Sequence, residues 1–288
     1  MKIFVTGGTG FLGNHLVKIL KKNKKYSIKI GSKNQKSKIK SNLIIKKNLK
    51  KIIKLNPDII INCAAMTDVD KCEKNKKLAY KTNVLIVKNL VLVSKKLDCK
   101  LIHISTDHLY DDKKINNVEN KFNLRNYYST TKRFAELEAS KYYKSLILRT
   151  NFFGTTKEYA GNMSWFFEKI KKKKMIDLFN DVYFSPLYIG TLCQIISKLC
   201  IKNLYGIYNI GCINKVSKEK FYLMISKKLN LNFSYRSVKL TDVLKNSKIT
   251  RRPKSMAMNI NKFKKNFKIK LPTIYKEIER FAYEYKNK

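Results

Sequence analysis

The chain has 288 residues, 44% of them hydrophobic, and a formal net charge of +43. Its length and apolar content are enough for a sizeable core, which excludes an intrinsically disordered chain despite the charge. A charge of that size points first to nucleic acid or an anionic membrane, but Lys outnumbers Arg roughly eight to one and is spread along the chain, whereas nucleic-acid readers favour Arg for bidentate contacts, so neither a nucleic-acid nor a membrane partner is expected.

The first half alternates short apolar runs with helical patterns. Lys2–Thr6 reads as a buried strand, and Gly13–Lys22 as a helix with Leu12, Leu16, Ile19 and Leu20 on one face. Ser27–Ile30, Asp58–Asn62, Leu101–Ser105 and Ser145–Arg149 read as further strands, with a long helical pattern over Ala79–Leu97. Strands alternating with helices imply βαβ units. The expected fold class is α/β: a Rossmann-type, doubly wound parallel sheet. Residues 1–150 would form this nucleotide-binding domain.

Beyond residue 150 the rhythm changes. Gly206–Ile210 reads as a strand, and Lys218–Leu229, Lys239–Leu244 and Thr273–Tyr285 read as helices. Residues 151–288 would form a smaller C-terminal substrate-binding lobe over the sheet's carboxyl edge, with part of the chain returning to the main sheet. The six Cys form no C-x-x-C pair and only three His are present, so neither a zinc site nor a disulfide framework is expected. No secretory leader is expected, because the N-terminal apolar run is a strand ending at Gly7. No apolar stretch reaches about 18 residues, and the expected compartment is the cytoplasm.

The segment Thr6–Gly13 (TGGTGFLG) follows the first strand and opens the first helix. Gly8, Gly10 and Gly13 fit G-x-G-x-x-G, and Gly7, Gly10 and Gly13 fit G-x-x-G-x-x-G. Such glycines bring backbone N–H groups and a helix N-terminus against a pyrophosphate. Gly7, Gly10, Phe11, Leu12 and Gly13 are therefore candidate cofactor residues. NAD-specific sites usually carry an Asp or Glu near the end of the second strand for the ribose 2′-OH. Here Ile30 is followed by Gly31, Ser32, Lys33 and Asn34, and the first acidic residue of the chain is Asp58. NADP(H) is the expected cofactor, with Ser32 and Lys33 as candidates for its 2′-phosphate.

Tyr128 and Lys132 form a Y-x-x-x-K pair, which shares one helical face. A free phenol has a pKa near 10; bringing it down by about 3 pH units takes roughly 4 kcal/mol, within reach of a close, partly desolvated cation. Tyr128 could then act as a general acid near neutrality. Ser105 closes the Leu101–Ser105 strand and Thr106 follows it, about 20 residues before Tyr128. A hydroxyl there can polarise a substrate carbonyl for hydride attack.

At this point the chain resembles the extended short-chain dehydrogenase/reductases that act on nucleotide sugars, and within them the dTDP-4-dehydrorhamnose reductase subgroup. The resemblance is carried by Pro57–Ala65 (PDIIINCAA), Met66–Glu73 (MTDVDKCE), Asn83, Ser105–Tyr110 (STDHLY), Leu148–Gly154 (LRTNFFG), Ser185-Pro186 and Arg252-Pro253. It implies NADPH-dependent reduction of the 4-keto group of a nucleotide-linked 4-keto-6-deoxy sugar, for deoxysugar and surface polysaccharide synthesis. It favours Thr106 over Ser105, makes Thr106, Tyr128 and Lys132 the catalytic set, and places Ala64, Ala65 and Asn83 beside the cofactor. It leaves a requirement for Mg²⁺, and the choice between monomer and homodimer, undecided. Two departures stand out. His108 replaces the Glu of related dehydratases, and Met256 and Asn259 stand where the reductases usually carry Ser and Asp. The alternatives are an NAD(P)-dependent nucleotide-sugar epimerase of the same superfamily and a non-catalytic NADP-binding regulatory subunit.

Overall fold

The computed structural model describes residues 1–32, 39–40, 42–111, 116–155, 162–245 and 250–287. Lys33 and Asn34 lie outside these described residues. The chain divides into two compact units that interleave in sequence. One comprises Met1–Thr106, Asn126–Arg149 and Cys193–Tyr208; the other comprises Asp107–Arg125, Thr150–Leu192 and Asn209–Lys288.

The principal sheet contains β1 (Lys2–Thr6), β2 (Ser27–Ser32), β3 (Ile39–Lys40), β4 (Ile59–Asn62), β5 (Lys100–Ile104) and β6 (Ser145–Thr150). Its seventh strand, Gly206–Ile210, lies beside β6, giving the order (206–210)-β6-β5-β4-β1-β2-β3. The neighbours from β3 through to β6 pair in parallel. This is the Rossmann-type, doubly wound arrangement, with strand order reversing between β1 and β4. β1, β4, β5 and β6 are buried nearly throughout because helices cover both faces of such a sheet. Phe4, Ile60, Leu101 and Ile147 pack with Ile52, Leu90 and Ala135 in one continuous core.

The helical pattern over Ala79–Leu97 is not one regular helix. An α-helical turn, Lys76–Tyr80, passes into a π-helical turn, Lys81–Leu85, and then into the helix Ile86–Leu97. Such π turns interrupt the regular hydrogen-bond ladder and recur at functional sites; this one carries Asn83. The helix Tyr127–Ser140 begins with a capping box between Asn126 and Ser129, which satisfies otherwise orphaned N–H groups at its start.

The second unit is built differently. Its strands pair in twos: Phe152–Phe153 with Leu187–Tyr188, Tyr183–Phe184 with Val216–Ser217, and Ile176–Phe179 with Tyr235–Val238. An aromatic core holds them, with Phe221 edge-on to Phe153 and Phe184 at 4.9 and 5.2 Å between ring centres. The helix Lys218–Leu229 has the bounds expected from its sequence.

Candidate active site

The glycine segment lies where strand order reverses. Gly7 adopts φ +62°, and a Cβ there would sit 2.8 Å from the Ala64 backbone nitrogen. Only glycine lets the loop after β1 approach the segment after β4 this closely. A Cβ on Gly13 would lie 2.2 Å from the Gly7 carbonyl oxygen, so the helix Phe11–Lys21 can start against the loop only with glycine there. That helix has no side-chain cap at Gly10 and no acidic residue in its first turn. Its N-terminus thus presents a favourable dipole with no carboxylate competing for it. Thr9 and Ser32 hydroxyls meet at 2.5 Å, which ties the loop to the end of β2. These features fit a dinucleotide pyrophosphate, and the end of β2 carries no acid that would repel a 2′-phosphate.

Beneath the loop, one rung of the sheet is polar. Thr6, Asn62 and His103 are in register across β1, β4 and β5. Thr6 donates to Asn62 Oδ1 at 2.5 Å, and Asn62 Nδ2 lies 3.0 Å from His103 Nδ1. Burial, and then the Lys132 ammonium, holds His103 well below the usual imidazole range, so it is neutral and accepts at Nδ1. Asn62 Oδ1 also accepts from the Ala64 N–H at 3.2 Å. Asn83 braces the same segment. Its side chain accepts from the Met66 N–H at 2.7 Å and donates to the Met66 carbonyl at 3.1 Å and to Thr131 Oγ1 at 2.9 Å.

The helix Tyr127–Ser140 turns an unusual face inward. Its buried positions include Tyr128, Lys132, Ala135, Glu136 and Ala139. Tyr128 is 7% exposed and Lys132 is 2% exposed. The Lys132 ammonium donates to the Ile104 carbonyl at 2.7 Å, at the end of β5. Burial pushes its pKa down to about 8, opposed chiefly by Glu136. The Cys63 thiol goes the other way, pushed up to about 12 by burial, and stays protonated.

Ser105 and Thr106, just beyond β5, are both buried, and the hydroxyl of Ser105 is engaged. It donates to Glu136 Oε1 at 2.6 Å. The Glu136 carboxylate also accepts from Arg149 Nε and Nη2 at 2.8 and 2.6 Å, and from Arg133 Nη1 at 3.2 Å. Glu136 and Arg149 are fully buried. A hydroxyl has a single proton to donate, so Ser105 cannot donate to a substrate carbonyl while it serves Glu136. The sequence reading missed Glu136 altogether. Its only local signal is spacing: it lies eight residues after Tyr128 and four after Lys132.

In the second unit, His108 sits in a short 3₁₀ turn, Asp107–Leu109. Burial, together with Lys218 and Arg252, pushes its pKa down to about 3. Asp107 accepts from Asn151 Nδ2 at 2.7 Å. Among the described residues no cluster of three or more His, Cys, Asp or Glu could hold a metal ion, and no helix is long and apolar enough to cross a membrane.

The chain is 24% identical over 281 residues to a dTDP-4-dehydrorhamnose reductase of Aggregatibacter actinomycetemcomitans, covering 93% of this chain and 94% of the relative. It is 27% identical over 245 residues to the spore coat polysaccharide biosynthesis protein SpsK of Bacillus subtilis, covering 82% of each. Its fold matches the structure of dTDP-4-dehydrorhamnose reductase from Bacillus anthracis in complex with NADP. The TM-score is 0.89, with 26% identity over 98% of this chain and 99% of that one. The model of the RmlD substrate binding domain matches residues 1–287, taking in the glycine loop, the Tyr128 helix and the whole second unit, and the chain therefore belongs to the RmlD substrate binding domain family.

Proposed function

We propose that the protein is an NADPH-dependent oxidoreductase that reduces the C4 ketone of a nucleotide-linked 4-keto-6-deoxy sugar, in cytoplasmic synthesis of a deoxysugar for surface polysaccharide. The observation that carries this reading is the Lys132–Ile104 bond. It joins the Tyr128 helix to the strand that leads into Thr106, which supports reading Tyr128 as proton donor and Thr106 as carbonyl-polarising hydroxyl of one site. The names of two relatives, both dTDP-4-dehydrorhamnose reductases, point to the same chemistry, and that of a third points to polysaccharide synthesis.

NADPH, when bound, supplies the hydride. Gly7, Gly10, Phe11, Leu12 and Gly13 would hold its pyrophosphate, Ser32 and Lys33 would receive the 2′-phosphate, and Ala64 and Ala65 would line its channel. Asn83 supports that channel by holding Met66. Thr106 donates a hydrogen bond to the C4 carbonyl, a role that suits it better than Ser105, whose hydroxyl donates to Glu136. Tyr128 donates its phenolic proton to the oxygen as negative charge develops there. The Lys132 ammonium favours the resulting phenolate and binds the nicotinamide ribose. The absence of any acid before Asp58 separates the protein from epimerases that hold NAD through a ribose carboxylate.

The test is a panel of nucleotide-linked 4-keto-6-deoxy sugars, followed by NADPH absorbance and by product analysis at C4. Turnover with one of them supports the reading. A panel giving only background oxidation, with protein shown to bind NADPH, would refute it.

A further inference from the structure

Two side chains one turn apart on the Tyr127–Ser140 helix grip adjacent residues at the end of β5. Lys132 donates to the Ile104 carbonyl at 2.7 Å, and Glu136 accepts the Ser105 hydroxyl at 2.6 Å. Thr106 is the next residue. Glu136 is itself fixed, because Arg149 on β6 binds it through two nitrogens and Arg133 binds it through a third. All four acceptor positions of the carboxylate are thereby taken, by groups on the helix, β6 and the residue after β5. Packing alone does not call for such a pair, since apolar residues of similar volume usually stabilise a core as well or better.

We propose that Glu136 is a positioning residue for the reduction, fixing the Thr106 end of β5 through Ser105 and keeping Lys132 charged. This rests on the assignment of Thr106, Tyr128 and Lys132 made above. The electrostatic half follows from what surrounds the ammonium. Cys63, from the segment after β4, remains a neutral thiol, and His103 on β5 remains a neutral imidazole. Tyr128 lies one turn earlier on the same helix. Arg133 and Arg149 are cations lying on the carboxylate itself. Glu136 is the only anion among these groups, and it opposes the burial that lowers the proton affinity of Lys132.

The experiment uses the full-length protein with NADPH and the nucleotide sugar of the panel above. Ser105→Ala removes one hydroxyl and leaves the Glu136–Arg149 pair whole. Its kcat should fall about tenfold to a hundredfold, the scale of a small misplacement at the reacting centre. KM for the sugar and Kd for NADPH should stay within about twofold. Glu136→Gln strands Arg149 and threatens folding, so Glu136→Gln/Arg149→Met is made beside it and its fold checked by circular dichroism. Compared with Arg149→Met, which lacks the same cation, that variant should show the titration midpoint of Lys132 lower by about one pH unit or more. It is read by NMR of protein labelled with ¹³C-lysine, the signal being assigned by its loss in Lys132→Arg. Unchanged kcat in Ser105→Ala, where Tyr128→Phe loses activity, would overturn the proposal, and so would an unchanged Lys132 midpoint. If the wild type turns over no sugar, the functional reading fails, and the Lys132 titration decides the role of Glu136 by itself.

Discussion

The Lys132 ammonium lies 2.7 Å from the Ile104 carbonyl oxygen, with only 2% of the residue exposed. Burial brings its pKa down to about 8, close to working pH. The charged form is the one that favours the Tyr128 phenolate, so the useful species is lost as pH rises through that value. We expect kcat/KM, which reports the free enzyme, to fall about tenfold per pH unit above roughly pH 8. In Lys132→Arg the side chain stays charged at any working pH, and the alkaline limb should move up by more than about one pH unit, although turnover is lower. A limb that does not move would assign the titration to another group.

Cofactor choice follows from the end of β2. Ser32 is tied to Thr9 there, and no acid precedes Asp58. NADPH should bind at least about tenfold tighter than NADH, as expected when a 2′-phosphate finds donors and no carboxylate. Both dissociation constants must be measured at physiological salt, because the net charge of +43 inflates phosphate affinity when screening is weak. Equal or tighter NADH binding would contradict the assignment.

His108 is the other side chain near this part of the sequence that could be suspected of moving a proton. Burial and its two cationic neighbours push its pKa down to about 3. It is therefore neutral throughout the range near pH 7 and is not an imidazolium acid. His108→Gln should hold kcat within about threefold, whereas loss of a general acid costs about 10²–10⁴-fold. A hundredfold loss in this variant, with sugar KM unchanged, would return His108 to the mechanism.

The main parallel sheet was legible because its signals are local. Apolar runs mark β1, β4, β5 and β6, and the glycine loop is contiguous in sequence. The strand Gly206–Ile210 and the helix Lys218–Leu229 were readable to the residue. The π turn around Asn83 was not, since one wider turn hardly disturbs apolar periodicity. Nor was Glu136. Its partner Arg149 lies 13 residues on, in the next strand, and a charged residue on a helix reads as solvent-facing until the fold buries it. The place of Asp107–Arg125 in the second unit was equally hidden, because it rests on tertiary contacts that no local pattern announces.

The lysine excess yields a separate expectation. If it is compositional, duplex DNA should bind weakly, without sequence preference, and binding should fade steeply with salt as counterions compete. Titration of labelled DNA of two unrelated sequences at low and physiological salt measures this. Nanomolar, sequence-selective binding at physiological salt would contradict it.

The most direct measurement compares wild type and Tyr128→Phe on one confirmed nucleotide-linked 4-keto-6-deoxy sugar, following NADPH oxidation under conditions where chemistry limits the rate. Removing the phenolic hydroxyl should leave NADPH affinity within a few fold and lower kcat by about 10²–10⁴-fold. Lys132→Ala should lower both turnover and NADPH affinity. The double variant should lose far less than the product of the single losses, because the two residues act as a unit. Near-normal turnover by Tyr128→Phe would contradict the assignment of Tyr128 as the proton donor.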